Sequence, residues 1–415
     1  MNYINNFARK IQFLVGANGS GKTYSLHQAL KQVENSGILI TEDGNPIIPR
    51  HLNRVNVDPV KMTYIYKSET SRGKIGRDVE QEPISERVRP IVTFCNELKK
   101  KLDIFKKKSK GQEKLYNIIS ILSSYNLNNI RIIYFDEPEN FLDEEYLKVI
   151  CKLFTILVSQ DFIVRVATHN SRLLDIIKVE IDDIIFLNSH SQFIISKSEI
   201  KDLYRTVASE IENIKAKFRI QTDASIEYKL NLPNQPEAFD NFLEQTLKSE
   251  EFYRCLFYKH VIIVEGDSDI VALQSIKNEF DTSVEFFNPN GKAYIPFFAQ
   301  LFLKLRKEVT VIIDGDENFE EGRPLSHPIA ITYYLEDCAA RNEINLVKHT
   351  PDLERFYNID LEQIGENLGM SSNVRRNRGY LKSVAAFVYF KDKENREKLK
   401  RHVLSGGKVN QFEFE

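Results

Sequence analysis

Short apolar runs alternate with amphipathic stretches through the first half of the chain. Residues 10–15, 38–40, 62–66, 130–135 and 162–167 are strand-length blocks rich in aliphatic and aromatic side chains, and the segments between them carry apolar positions at helical spacing. This alternation predicts buried strands interleaved with helices, a layered α/β domain. From about residue 197 to residue 251 the pattern turns charged and helical, interrupted at Pro233 and Pro236. A second α/β unit opens on the apolar run 260–265, with further strands expected at 283–287 and 309–313 and a helix at 293–305 between them. The expected organisation is an α/β domain over 1–195, a helical connector over 196–254 and a parallel-sheet α/β domain over 255–415.

A length of 415 residues agrees with more than one domain. With 57 Lys and Arg against 59 Asp and Glu the net charge is −2, so nucleic-acid or membrane binding would have to rest on local patches. Cys95, Cys151, Cys255 and Cys338 lie far apart with no CxxC pair, which argues against a zinc site or a disulfide framework and for a reducing compartment. The first residues lack a basic-then-apolar leader pattern, and no apolar run approaches the roughly 20 residues that span a bilayer. The expectation is a cytoplasmic protein without a membrane anchor.

Composition leaves the chemistry open; two pairs of motifs narrow it. The octet Gly16-Ala17-Asn18-Gly19-Ser20-Gly21-Lys22-Thr23 follows an apolar strand and opens a helical pattern, the context of a phosphate-binding loop for ATP. Gly19, Gly21 and Asn18 let backbone N–H groups wrap the phosphates, Lys22 reaches the β/γ oxygens and Thr23 ligates Mg²⁺. The apolar block ending at Phe135 delivers Asp136 and Glu137, one carboxylate for the Mg²⁺ and the next a general-base candidate for the attacking water.

These spacings resemble those of ABC-type ATPases. Ser109-Lys110-Gly111-Gln112 is similar to the ABC signature, residues 138–143 to the segment after the second phosphate motif, and His169 stands where that family has its switch histidine. The resemblance implies that two ATP molecules are sandwiched in a homodimer or larger assembly, with Ser109 and Gly111 of one copy reaching the γ-phosphate bound by the other. Lys110 departs from the glycine common in transporter signatures, and no adenine-stacking aromatic or glutamine loop is assigned. Around the signature lie Lys99, Lys100, Lys101, Lys106, Lys107, Lys108, Lys110 and Lys114, a run that suits either a solvated helix face or a phosphate backbone, the first being favoured.

In the second unit one strand delivers Glu265-Gly266-Asp267-Ser268-Asp269, and another, 49 residues on, Asp314-Gly315-Asp316. The combination resembles a TOPRIM domain, in which such acids converge at the carboxyl edge of a parallel sheet. Hard carboxylate oxygens suit Mg²⁺ or Mn²⁺. Glu265, Asp314 and Asp316 are assigned to a main metal and Asp269 to a second. Gly291-Lys292 is a secondary candidate. The order of domains is similar to that of the overcoming-lysogenisation-defect (OLD) family of nucleases, which implies roles for a further acid and a late lysine, matched in position by Glu354 and Lys382. The ATPase half, roughly 195 residues, is shorter than in larger members. The resemblance implies an ATP-controlled, metal-dependent endonuclease acting on DNA or RNA, serving defence against phage and other mobile elements, with a further defence protein as a candidate partner. The alternative is an SMC-like ATPase sensor or DNA-repair clamp whose acidic site only holds a metal; the absence of long coiled-coil arms between the phosphate loop and Asp136 counts against it.

Overall fold

The computed structural model describes residues 3–50, 52, 54–66, 81–188, 191–280, 283–315, 325–371 and 377–405. The chain divides into two compact units, Met1–Ile195 and Ser196–Glu415.

In the first unit β1 (Ile11–Val15) leads through a loop into α1 (Lys22–Gln32), followed by β2 (Gly37–Ile40) and β3 (Pro46–Ile47). Next come β4 (Asn56–Asp58), β5 (Thr63–Ile65), β6 (Gln81–Pro83), α2 (Arg89–Leu102) and α3 (Lys110–Ser124). The unit closes with β7 (Ile132–Asp136), α4 (Glu144–Ser159), β8 (Ile163–Ala167), α5 (Ser171–Ile177), β9 (Ile184–Asn188) and β10 (Ser191–Phe193). One sheet has the order β10-β9-β1-β8-β7-β2-β3, parallel through its five central strands and antiparallel at both edges.

Every residue of β2, β7 and β8 is buried, as strands covered on both faces must be. Buried Arg165 on β8 is accommodated because its guanidinium donates to the carbonyls of Ile4, Val164, Asn6 and Arg9. Leu14 and Asp136 both pair with Ala167, so the carboxyl ends of β1, β8 and β7 emerge side by side. The strand expected at 62–66 forms as β5 but belongs to a separate antiparallel sheet, β4-β5-β6. Only its central residue, Tyr64, is buried, unlike the fully covered strands of the main sheet.

The second unit begins with α6 (Lys197–Lys217), α7 (Ala224–Leu230), α8 (Pro236–Leu247) and α9 (Glu250–Leu256). Ser196 and Glu199 form a capping box at the start of α6, and Pro236 opens α8, where a missing N–H costs nothing. There follow β11 (His260–Val264), α10 (Asp267–Gln274), β12 (Val284–Phe287), α11 (Ile295–Lys304), β13 (Glu308–Asp314), α12 (His327–Ala340) and β14 (Asn345–His349). The last helices are α13 (Leu353–Phe356), α14 (Leu361–Asn367), α15 (Arg378–Tyr389) and α16 (Lys393–Leu404). Tyr204 of α6 packs against Phe239, Phe242 and Phe297, so the segment read as a connector is knit into this unit by aromatic contacts.

The second sheet is parallel throughout, in the order β12-β11-β13-β14. Val264 pairs with Ile312 and Asp314 with His349, which gathers the ends of three strands at one edge. All four cysteines are free and buried. No helix among the described residues is long and apolar enough to cross a membrane.

Candidate functional site

The glycine-rich loop expected to bind phosphate sits between β1 and α1. Gly19 and Gly21 adopt φ of 78° and 88°, left-handed backbone that a side chain would strain. The Lys22 ammonium turns back on this loop and donates to Gly16 O at 3.1 Å. Burial lowers its pKa, opposed by the nearby carboxylates of Glu137, Asp136 and Glu139. An open cleft is lined by residues 18–24 together with His27, Glu42, Glu137, Asn140, Phe141 and His169.

Asp136 ends β7 beside this loop. Its carboxylate is buried, with Oδ1 unpartnered; burial raises its pKa and a hydrogen bond from the Thr23 hydroxyl lowers it. The pairing of Asp136 with Thr23 and the idle oxygen fit a Mg²⁺–nucleotide complex, with hard oxygens on both sides of one position. Glu137 follows at φ 45°, a left-handed conformation uncommon outside glycine and characteristic of functional turns. That turn is held by Lys114, whose buried ammonium donates to Glu137 O at 2.6 Å.

His169 Nδ1 lies 3.1 Å from Glu137 Oε1, and Asn140 Nδ2 donates to Glu137 Oε2 at 3.0 Å. The hydrogen bond to His169 holds the Glu137 carboxyl below its ordinary range and lifts the imidazole above its own. Behind them Glu139 Oε1 accepts from Thr168 Oγ1 at 2.5 Å and His169 N at 3.2 Å, fixing the histidine's backbone. The roles of Glu139, Asn140 and Lys114 escape the sequence reading, since nothing local in a polar residue signals which partner the fold will bring to it. Ser109 caps α3, accepting from Gln112 N at 3.3 Å. Gly111 lies against Phe141, whose carbonyl oxygen would be 2.3 Å from an added Cβ.

At the carboxyl edge of the second sheet, Glu265 Oε2 accepts from Asp314 N at 3.1 Å. The ammonium of buried Lys292 donates to Asp314 O at 2.6 Å and stands 3.4 Å from Glu265 Oε2. Asp314 Oδ1 accepts from Leu353 N at 3.3 Å, at the start of α13. Asp269 Oδ2 accepts from Gly266 N at 3.1 Å, while its Oδ1 faces His349 Nδ1 at 3.7 Å. Glu354 is buried and paired with Lys382, Nζ to Oε2 2.7 Å. Gly315 fits beneath Thr350, whose Oγ1 would be 2.6 Å from an added Cβ.

Burial pushes the Asp314 carboxyl up to about 8, reinforced by the charges of Asp269, Glu265 and Glu354 and opposed by that of Lys382. The structure thus brings Glu265, Asp269, Asp314, Glu354 and Lys382 together. Asp316 lies outside the described residues. Among the described residues no three His, Cys, Asp or Glu side chains stand in a metal-ligating arrangement. The donor set nevertheless fits a divalent cation, because mutually repelling carboxylates are crowded together and Asp269 Oδ1 and Glu354 Oε1 are buried without a hydrogen-bond partner. His349, buried at the end of β14, was not anticipated.

A search of curated proteins finds no match. A solved structure of a metal-chelate type ABC transporter in an inward-facing conformation is 17% identical, covering 51% of this chain and 79% of its own, at a TM-score of 0.25. Residues 256–316 match the family model described as overcoming lysogenization defect protein-like, TOPRIM domain, a span that includes β11, Glu265, Asp269 and Asp314. Over this span the chain is similar to the TOPRIM domain of OLD-like proteins.

Proposed function

We propose that this protein is an ATP-controlled, divalent-metal-dependent endonuclease that cleaves nucleic-acid phosphodiesters, DNA or RNA, in defence against phage and other mobile elements. The observation that carries the reading is the crowding of Glu265, Asp269 and Glu354 around Asp314 at the carboxyl edge of a parallel sheet. Glu265, Asp314 and Asp316 would hold the main Mg²⁺ or Mn²⁺, and Asp269 with Glu354 a second. Such ions supply charge neutralisation for the attacking and leaving oxygens of an in-line displacement. Lys292 fixes Glu265 and the Asp314 backbone in place, and Lys382 is close enough to this cluster to offset negative charge growing on the phosphate.

In the first unit Asn18, Gly19, Gly21 and Lys22 would bind the ATP phosphates, and Thr23 with Asp136 its Mg²⁺. Glu137, oriented by His169 and Asn140, accepts the proton of the attacking water. Ser109 and Gly111 would complete the site of a second copy, which makes the working form a homodimer or larger, and a further defence protein is a candidate partner. Incubating purified protein with plasmid, single-stranded DNA and tRNA, in Mg²⁺ or Mn²⁺ with and without ATP, tests this. Cleavage that survives in the parent and is lost in Asp314→Asn is the expected result. ATP hydrolysis with every nucleic acid left intact would favour the sensor or repair-clamp alternative.

A further inference from the structure

The lysine run around Ser109 separates into two groups. Four of its members have local roles. Lys99 and Lys108 place their ammonium groups over the Tyr116 ring at 5.3 and 4.5 Å, and Lys108 also reaches Asp103 at 3.6 Å. Lys110 lies over the Phe141 ring at 5.5 Å, and Lys114 is buried against Glu137 O.

Lys100, Lys101, Lys106 and Lys107 are exposed and make no ion pair with any described residue. Several helix lysines elsewhere pair with a carboxylate one turn away, as Lys148 does with Glu144, Lys215 with Glu212 and Lys248 with Glu244, whereas Glu97, one turn before Lys100 and Lys101, forms an ion pair with neither. The electrostatics of a helix carboxyl terminus explain Lys100 and Lys101, in the last turn of α2. They do not explain Lys106 and Lys107, which lie in the loop before α3.

Between the two lysine clusters stand Ile104 and Phe105, 78% and 46% exposed. A cationic patch whose one internal acid, Asp103, is engaged by Lys108, and which carries an exposed aromatic at its centre, is complementary to a polyanion that also offers flat apolar surface.

We propose that this turn, residues 100–107, is a nucleic-acid docking surface: the four free lysines contact backbone phosphates, and Phe105 stacks on an unpaired base. The inference rests on the nuclease reading for its choice of polyanion. It adds that the first unit, and not the metal edge alone, grips the strand.

The test measures binding of fluorescein-labelled single-stranded and duplex DNA of one length to the full chain in EDTA, over a range of salt. The parent is compared with Phe105→Ala and with a Lys100→Gln, Lys101→Gln, Lys106→Gln, Lys107→Gln variant, all checked for unchanged melting. The expected result is that the fourfold variant binds both probes at least tenfold more weakly, with a log–log salt slope flatter by about 3. Phe105→Ala should weaken only the single-stranded probe, by about tenfold.

Unchanged binding in the fourfold variant overturns the proposal. So does a loss confined to phosphatidylserine-containing vesicles, or a fall to monomer on sedimentation with DNA binding intact. A parallel Mn²⁺ cleavage assay separates the two readings. A parent that cuts while the variants bind normally removes only this surface; a parent that binds through it and never cuts removes only the nuclease.

Discussion

The main-chain amide of Asp314 donates to Glu265 Oε2 at 3.1 Å, so one acid at the end of β11 anchors the backbone that carries the other at the end of β13. Glu265 therefore has a duty that does not need its charge. Glu265→Gln keeps an oxygen acceptor and is expected to melt close to the parent, yet to lose stabilisation by Mn²⁺. Glu265→Ala leaves the amide unsatisfied and is expected to cost about 1–3 kcal/mol. Melting with EDTA and with Mn²⁺ separates the two effects.

Asp314 makes the metal-free protein sensitive to pH. Its folded-state carboxyl titrates at about 8, above its value of roughly 3.9 in an unfolded chain, so the native state binds the extra proton between these limits. Stability from this group is then full below pH ~4 and declines as pH rises towards 8. The expected outcome is that Mn²⁺ raises the melting temperature more near pH 8 than near pH 6, and that Asp314→Asn abolishes the difference. A parent whose Mn²⁺ shift does not change with pH would contradict this.

Lys382 compensates a buried charge. Lys382→Met leaves Glu354 without its 2.7 Å partner and is expected to destabilise by up to about 3 kcal/mol, less than for a fully buried pair because the lysine is a third exposed. Adding Glu354→Gln should recover much of that loss. Denaturant melts of the two single variants and the double variant measure the coupling.

If the cleft beside Lys22 takes ATP as proposed, Glu137→Gln is expected to bind it and to hydrolyse it about 10²–10⁴ times more slowly, whereas Lys22→Ala loses binding itself. The pair Glu137–His169 also has a pH window. Glu137 is lowered, so its contribution is present above the ordinary carboxylate value and fades as pH falls through the lowered one; His169 is raised, so its contribution is present below ~6.5 and fades as pH rises through the raised one. With His169 partly exposed the coupling should stay below about 1 kcal/mol. A double-mutant cycle should find it near pH 5.5 and not near pH 9.

Gly111 offers a packing test. An added Cβ meets a main-chain oxygen that no rotamer change can move, so Gly111→Ala is expected to cost about 1–3 kcal/mol in a chain free of nucleotide. Equal melting of parent and variant would show that the helix yields there and that packing does not require the glycine.

Strands that combine an apolar run with an abrupt acidic or glycine-rich end were legible in the sequence: β1, β7, β11 and β13 carry their chemistry at such ends. β9 meets the same apolar criterion and was passed over for want of any motif. β14 was hidden because Asn345, Lys348 and His349 break the apolar run, and its pairing to β13 is a tertiary fact. Lys114 looked like one more member of a basic run. Only the fold shows it buried beneath the Glu137 turn, because nothing local in a lysine distinguishes a solvated cation from one aimed at a carbonyl.

Lys292 has a consequence for the order of events. Its ammonium already sits among the acids, bonded to the end of β13 and close to the acid that follows β11. An internal cation of this kind lets the carboxylates congregate before any ion arrives from solution. Under the proposed function, loading with a divalent ion would then occur at a standing arrangement, with little rebuilding of the chain around it.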